Sequence, residues 1–183
     1  MKLLIASDLH GSAYYTNKLI DAYNKESPDK LLLLGDILYH GPRNDLPLDY
    51  SPKRVIAMLN SISENIICVK GNCDCEVDEM VLNFPVLADY AIIFDPALCG
   101  KSIFATHGHR FNASCLPKLK KGDILLHGHT HIPCFEKFEN VYIVNPGSVS
   151  IPKNETLNSY MILENGIFTL KDIEGNTISV FNM

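Results

Sequence analysis

The sequence predicts an α/β protein in which two packed sheets carry helices on their outer faces. In the first half of the chain, short apolar runs alternate with helical patterns, as in βαβ units. After about residue 85, short strand-like runs separated by turn residues replace this alternation. Neither a linker nor an internal repeat divides the two halves, so we expect one domain over residues 1–183.

Three strands and two helices are expected in the first half. Ser12 is a suitable N-cap for a helix that runs to about Asn24, and its apolar residues recur at helical spacing. A second helix begins at Ser51 and Pro52, an N-cap residue followed by proline at the first helical position. The buried parallel strands are predicted at residues 2–6, 30–34 and 66–70.

The second half is predicted to be almost entirely β-structure. Residues 164–166 and 174–176 have the composition of hairpin turns, so the last three strands should be antiparallel neighbours. The predicted strands are residues 91–94, 102–106, 123–127, 134–138, 141–144, 160–163, 167–173 and 177–181.

Composition excludes several classes of protein. With 46% hydrophobic and 20% charged residues, the chain of 183 residues is globular rather than disordered. A formal net charge of −5 argues against an extended nucleic-acid-binding face, although bound cations could still attract a small anionic substrate. No apolar run approaches the roughly 20 residues that a membrane span needs. The apolar run at residues 3–6 is followed by Asp8, which makes it too short for a signal peptide, so we expect a cytoplasmic protein. A homo-oligomer, either a dimer or a tetramer, stays open.

The six cysteines are expected to be free. A chain of this length can bury a sufficient core without disulfides. We predict buried thiols at Cys68, Cys99, Cys115 and Cys134. The pair Cys73-x-Cys75 lies among hard ligands, which makes a redox or metal pair the weaker interpretation.

Polar residues follow the predicted strands at their carboxyl ends, where open α/β sheets bind ligands. Each such segment is common by chance, but five of them at five predicted strand ends indicate a functional site. The segments are Ser7-Asp8-Leu9-His10-Gly11, Gly35-Asp36, Gly71-Asn72-Cys73-Asp74, Thr106-His107-Gly108-His109 and Gly128-His129-Thr130-His131.

The distribution of histidine indicates metal binding. Five of the seven histidines lie within residues 107–131, whereas a single histidine is more often structural. Side chains two residues apart on an extended segment point to the same face, so Asp8 with His10, and His129 with His131, should each reach a common centre. Mixed His, Asp and Asn donors suit Mn, Fe, Zn or Ni better than Ca²⁺.

The number of candidate ligands exceeds what one tetrahedral ion can use. Seven donors suit two divalent ions that share a bridging carboxylate. These donors are Asp8, His10, Asp36, Asn72, His107, His129 and His131.

This succession of motifs resembles the calcineurin-like metallophosphoesterase superfamily and, within it, the small bacterial YfcE-type phosphodiesterases. Further shared segments are His40-Gly41-Pro42-Arg43-Asn44, residues 71–78 and residues 145–153, and the resemblance extends from residue 2 to about 160. It implies a four-layer α/β/β/α sandwich with two packed mixed sheets flanked by helices. It also implies a divalent-metal-dependent phosphodiesterase with a small phosphodiester substrate.

The resemblance assigns roles to the candidate residues. One ion would be held by Asp8, His10, Asp36 and His131, and the other by Asp36, Asn72, His107 and His129. Asp36 would bridge the two ions, and a bridging hydroxide would attack phosphorus. We expect the ions to be Mn, with Zn, Fe and Ni as alternatives. The catalytic set would be Asp36, Asn72, Cys73 and His107, with Arg43 and His40 as candidate substrate contacts.

One position departs from the superfamily pattern. Cys73 stands where most members have the histidine thought to protonate the leaving group, as it does in the YfcE-type subgroup. A thiol is a weak hydrogen-bond donor, so general-acid catalysis is in doubt. His109 and His127 are candidates for orienting metal ligands. Residues 145–148 are predicted to form a tight turn behind the loop of residues 128–131, rather than a phosphate cradle.

Three alternatives compete with the phosphodiesterase. A non-catalytic scaffold of the same fold, like the retromer subunit, would lack part of the metal constellation, whereas Asp36 and Asn72 are both present. A thioesterase of the metallo-β-lactamase type would need an early His-x-His-x-Asp-His cluster, which is missing. A phosphomonoesterase stays open, because the loops at residues 39–50 and 112–119 would set specificity.

Overall fold

The computed structural model describes residues 1–183 as eleven strands in two sheets, with three helices. The strands are β1 (Lys2–Ala6), β2 (Lys30–Leu33), β3 (Ile66–Cys68), β4 (Tyr90–Phe94), β5 (Ser102–Thr106), β6 (Ile124–Leu126), β7 (Cys134–Phe138), β8 (Val141–Asn145), β9 (Ser159–Glu164), β10 (Ile167–Asp172) and β11 (Thr177–Asn182). The helices are α1 (Ala13–Glu26), α2 (Pro52–Asn60) and the one-turn α3 (Glu76–Glu79), with 3₁₀ turns at Ser63–Asn65 and Pro96–Leu98. None of the helices has the length and apolar character that a membrane crossing requires.

Both sheets are mixed, which confirms the predicted α/β class. The first sheet has the order β11-β10-β9-β1-β2-β3, with β1, β2 and β3 parallel and the C-terminal strands antiparallel. The second has the order β4-β5-β6-β8-β7, with β5, β6 and β8 parallel and an antiparallel strand at each edge. The predicted meander at the end of the chain is therefore present and completes the first sheet.

Alternating side chains of β1 divide the core into two layers. Leu4 and Ala6 belong to the cluster that α1 and α2 cover, whereas Leu3 and Ile5 face the second sheet. All four side chains are fully buried, as expected for a strand with packing on both faces. Because β1 lies in the middle of the first sheet and is parallel to β2, its carboxyl end lies beside that of β2 at the same edge of the sheet.

The outer face of the second sheet carries a loop rather than a helix. Phe104 and its neighbours on this face pack against Phe111, Leu116 and Leu119 of the segment that joins β5 to β6. Asn112 folds this segment into a turn, since its Oδ1 accepts the backbone N–H groups of residues 114 and 115. The helices α1 and α2 therefore cover the first sheet, and this loop takes the place of the predicted helical layer on the second sheet.

The predicted elements are present, and several of their ends differ. Ser12 caps α1 by accepting the N–H of Tyr15 at 3.3 Å, and the helix continues past Asn24 to Glu26. Ser51 precedes α2 as predicted, but its side chain makes no capping hydrogen bond. The strands expected at residues 66–70 and 123–127 are shorter and span Ile66–Cys68 and Ile124–Leu126.

All six cysteines are free, as predicted. Cys68 is buried and Cys134 is half-buried. The prediction of buried thiols is wrong for Cys99 and Cys115, which are exposed. Both lie in surface turns, Cys99 at the end of a 3₁₀ turn and Cys115 in the turn that Asn112 closes.

Candidate metal centre

The seven candidate ligands follow five strand ends that meet at one edge of the sandwich. The turn after β1 carries Asp8 and His10, the turn after β2 carries Asp36, the turn after β3 carries Asn72, β5 is followed by His107, and the loop after β6 carries His129 and His131. These strands are parallel within their own sheets, so their carboxyl ends lie together.

Three of these residues form a first group around Asp8. Its Oδ1 lies 3.3 Å from Nε2 of His131 and 3.6 Å from Nε2 of His10, and the two imidazole nitrogens are 3.3 Å apart. The other nitrogen of each ring is held by the backbone: Nδ1 of His10 lies 2.8 Å from the carbonyl oxygen of Tyr39, and Nδ1 of His131 lies 2.7 Å from that of Ile151. Because Nδ1 donates to these carbonyls, the lone pair on each Nε2 faces Asp8.

The second group surrounds His107. Its Nε2 lies 3.1 Å from Oδ1 of Asn72, 3.2 Å from Nδ1 of His129 and 3.4 Å from Oδ2 of Asp36. Its Nδ1 donates to the carbonyl oxygen of Leu34 at 2.7 Å, which fixes the ring with Nε2 toward these donors. The structure thus separates His129 from His131, which belongs to the first group.

Asp36 lies between the two groups. Its Oδ2 is 3.4 Å from His107 and 3.6 Å from His10, while its Oδ1 accepts the backbone N–H of Cys73 at 2.8 Å. One carboxylate oxygen is therefore within reach of donors from both groups, the position that a bridging ligand needs.

The donor set fits divalent cations. Two donors that each lie about 2.1 Å from one ion are roughly 3.0–3.4 Å apart, close to the separations within both groups. Oδ1 of Asp8 is buried and has no hydrogen-bond partner, which is costly for a carboxylate unless a cation neutralises it. The combination of imidazole, carboxylate and amide donors matches borderline divalent ions.

The backbone at the ligands differs from the extended form that we expected. Of the twelve non-glycine residues with positive φ, five are candidate ligands, with φ between 47° and 67°. They are Asp8, His10, Asp36, His129 and His131. The expected extended backbone is therefore wrong. The expected common centre is present for Asp8 and His10, which lie 3.6 Å apart, and is wrong for His129 and His131, which join different groups. Single left-handed residues turn the chain instead, and such strain clusters at functional sites.

Two glycines permit the close packing of these turns. A Cβ on Gly71 would lie 2.1 Å from Oδ1 of Asp36, and a Cβ on Gly128 would lie 1.9 Å from Oγ of Ser7. The glycines of the Gly-Asn and Gly-His motifs are thus required sterically beside the ligands.

Residues 145–148 lie behind the loop of residues 128–131, as predicted. Nδ2 of Asn145 donates to the carbonyl oxygen of Gly128 at 2.8 Å and to Oγ1 of Thr130 at 3.0 Å. Oδ1 of Asn145 accepts the N–H of Gly147 at 2.8 Å, which closes the tight turn. This buried asparagine therefore fixes the loop that carries two candidate ligands.

Sequence reasoning missed three supporting residues. Ser148 and Ser150 each donate from Oγ to the carbonyl oxygen of Asp8 at 2.9 Å, which secures its left-handed backbone. The buried carboxylate of Asp74 accepts the N–H groups of Asp36 at 2.8 Å and Gly71 at 2.7 Å. All three residues lie within segments that resemble the superfamily, but their contacts join turns that are distant in sequence and leave no local pattern.

A polar cleft of about 430 Å³ opens over the two groups. Arg43 lines it and forms no ion pair, whereas the other two arginines pair with aspartates. Lys153, which sequence reasoning did not single out, also lines the cleft without an ion pair. His40 is not part of the lining; its ring packs edge-on between Tyr39 and Tyr50 at 4.7 and 5.3 Å. The structure thus brings Arg43 to the cleft but not His40.

Burial and charge set the proton affinities of the site. Burial lowers the pKa of His107, but the hydrogen bond to Asp36 and the charge of Asp8 outweigh it and raise the pKa to about 9. Burial and the charge of His107 lower the pKa of His129 to about 4. Burial and the charge of Asp36 raise the pKa of the Cys73 thiol above its usual range. A cation that binds must therefore replace the proton on His107 at neutral pH.

The two remaining histidines lie beside the donors. Nδ1 of His127 lies 3.0 Å from the carbonyl oxygen of Gly128, and its ring is buried. The ring of His109 lies 5.5 Å from that of His107 and 6.2 Å from that of His129, and its buried Nδ1 has no hydrogen-bond partner. Burial lowers the pKa of both rings, so they are neutral near pH 7.

Comparison with known proteins agrees with this geometry. A model of the calcineurin-like phosphoesterase superfamily domain matches residues 1–166. Phosphodiesterase YfcE of Escherichia coli strain K12 is 41% identical over 178 residues, which cover 97% of this chain and 95% of that protein. A solved structure of YfcE, described as a phosphoesterase from E. coli, has a TM-score of 0.94 at 40% identity and covers 99% of this chain and 98% of that one.

More distant relatives extend the comparison. Phosphodiesterase MJ0936 of Methanocaldococcus jannaschii is 27% identical over 155 residues, 80% of this chain and 83% of that protein. A structure of Vps29 from Entamoeba histolytica in complex with Zn²⁺ has a TM-score of 0.60 at 20% identity, covering 99% of this chain and 96% of that one. At this identity, the Vps29 likeness describes the fold alone.

Proposed function

Because the chain belongs to the calcineurin-like phosphoesterase superfamily, we propose that it is a phosphodiesterase that depends on two divalent metal ions. The observation that carries the proposal is the convergence of seven donor side chains in two adjacent groups with an aspartate between them, where four of the seven line one cleft. The name of the E. coli relative supports a diester as the substrate class.

Each group of donors would hold one ion. Asp8, His10 and His131 would hold the first, Asn72, His107 and His129 the second, and Asp36 would contribute to both. Two divalent cations bound there would supply Lewis acidity and an activated water for phosphodiester hydrolysis. We propose Mn²⁺ before Zn²⁺, Fe²⁺ or Ni²⁺.

The chain's own groups orient the substrate. The guanidinium of Arg43 is free to donate to the non-bridging oxygens of a phosphate in the cleft. Lys153 adds a second cation on the same cleft. The Cys73 thiol also lines the cleft, and in the metal-free protein burial and the charge of Asp36 raise its pKa; as a thiol it would offer only a weak hydrogen bond to a departing oxygen.

A phosphomonoesterase is the second candidate, because two unpaired cations in the cleft also suit a dianion. A non-catalytic scaffold has less support, since all seven donors are present and converge.

The test uses protein that has been stripped of metal and then reconstituted with one metal at a time. Aryl phosphodiesters, phosphomonoesters and cyclic nucleotides form the substrate panel. We expect no turnover without metal and recovery on diesters with Mn²⁺. Full activity in metal-free protein would refute the metal-dependent mechanism, and recovery on monoesters alone would favour the second candidate.

A further inference from the structure

A second cleft adjoins the metal cleft and has a different character. It has a volume of about 740 Å³, and we call it the apolar annex. Half of its lining is shared with the metal cleft, namely Pro42, Arg43, Asn72 and Cys73. The other half consists of Tyr39, Cys75, Val77 and Asp78. A molecule whose phosphate lies beside Arg43 can therefore extend directly into the apolar annex.

The apolar side chains of the annex are exposed, and the backbone of one of them is hydrogen-bonded to a candidate ligand. Tyr39 is 43% exposed and Val77 is 63% exposed. The carbonyl oxygen of Tyr39 accepts the hydrogen bond from Nδ1 of His10 at 2.8 Å, so the backbone that carries the aromatic ring is tied to a candidate metal ligand. Covering these side chains with an apolar group removes apolar area from water, which is favourable.

Charge disfavours an anionic group in the annex. Asp78 is its only carboxylate, and one oxygen accepts the N–H of Cys75 at 2.9 Å. The only cation is Arg43, at the boundary with the metal cleft, whereas Lys153 lines the metal cleft alone. Negative charge is therefore favoured over the donor groups, and a neutral apolar group is favoured beside Tyr39.

Resting on the proposed phosphodiesterase function, we infer that the apolar annex binds one ester arm of the substrate and that this arm is apolar or aromatic. The substrate class is then a phosphodiester with at least one such arm. Diesters whose arms are both small and polar would leave Tyr39 and Val77 uncovered and would bind less tightly.

The test compares the binding of two diesters to the Mn²⁺-loaded protein by calorimetry. Dimethyl phosphate and dibenzyl phosphate have the same charge and poor leaving groups, and they differ in the arms. We expect dibenzyl phosphate to bind about tenfold more tightly, a factor consistent with one good aromatic contact. Tyr39→Ala and, separately, Val77→Asp should remove most of this preference while the affinity for dimethyl phosphate is retained.

Two control variants separate the annex from general effects. Tyr39→Phe keeps the ring and should keep the preference. Met80→Ala removes an apolar side chain that is 82% exposed, three residues beyond Val77 and outside the annex, and should leave both affinities unchanged. Equal binding of the two probes by a protein that hydrolyses diesters would overturn this inference alone. A protein that neither binds nor hydrolyses diesters would overturn the proposed function as well.

Discussion

Replacement of Asp36 by asparagine tests the arrangement of the two donor groups most directly. The variant keeps an oxygen that can accept the N–H of Cys73 at 2.8 Å, but it removes the charge that lies 3.4 Å from His107 and 3.6 Å from His10. The local fold should therefore persist while the electrostatics of both groups change. Asp21→Asn, an exposed position on α1, is the matched control.

The structure sets the size of the effect in the metal-free protein. The pKa of His107 rises from 6.5 to about 9, which corresponds to about 3 kcal/mol at ~1.36 kcal/mol per pH unit. The hydrogen bond to Asp36 is the largest cause that raises it, and burial opposes it. Without the Asp36 charge we expect this pKa to fall, as a titration of the His107 ring proton by NMR would show.

The metal-loaded protein should respond more strongly. Removing one partner of a buried charge pair costs about 3–5 kcal/mol, which corresponds to a loss of roughly 10²–10⁴-fold in metal affinity. Metal content after dialysis and turnover on an aryl diester should both fall by orders of magnitude. If Asp36→Asn retained two ions and a near-normal rate, or if the pKa of His107 did not change, Asp36 would not be the shared ligand.

Three further predictions follow from the site. Because Cys73 is a weak hydrogen-bond donor, aryl diesters should be hydrolysed faster than alkyl diesters. Cys73→His should raise the rates mainly for poor leaving groups, by up to about 10²–10⁴-fold. Rates of the native protein that do not depend on leaving-group pKa would indicate another proton donor, such as His109. In metal-free protein kept in chelator, the raised pKa of His107 should contribute stability that is complete below pH 6.5 and is lost as the pH rises toward about 9. Midpoints of urea unfolding at pH 6 and 9.5 would measure this loss. A midpoint that does not change between these pH values would contradict it. Gly71→Ala should reduce metal content, because its Cβ would lie 2.1 Å from Oδ1 of Asp36; unchanged metal content would show that the turn can relax.

Local patterns were sufficient for most of the fold. A buried strand is recognisable because its residues are apolar over its own length, and Ser12 predicts a helix start because a cap acts within one turn. The outer layer of the second sheet escaped prediction, since Phe111, Leu116 and Leu119 cover the sheet from a loop without helical periodicity.

The sequence by itself determined which residues are candidates for metal binding, because donor atoms are properties of residue types and five strand ends carry them in order. Their roles as ligands stay a prediction. Only the tertiary structure decided how the donors divide. His10 and His131 are 121 residues apart in the chain, yet their Nε2 atoms lie 3.3 Å apart, while His129 joins His107 instead. Sheet order and left-handed turns bring these groups together, and Arg43, Lys153 and Tyr39 reach the clefts in the same way. Such contacts join segments that are distant in sequence, so the local periodicity of the sequence cannot predict them.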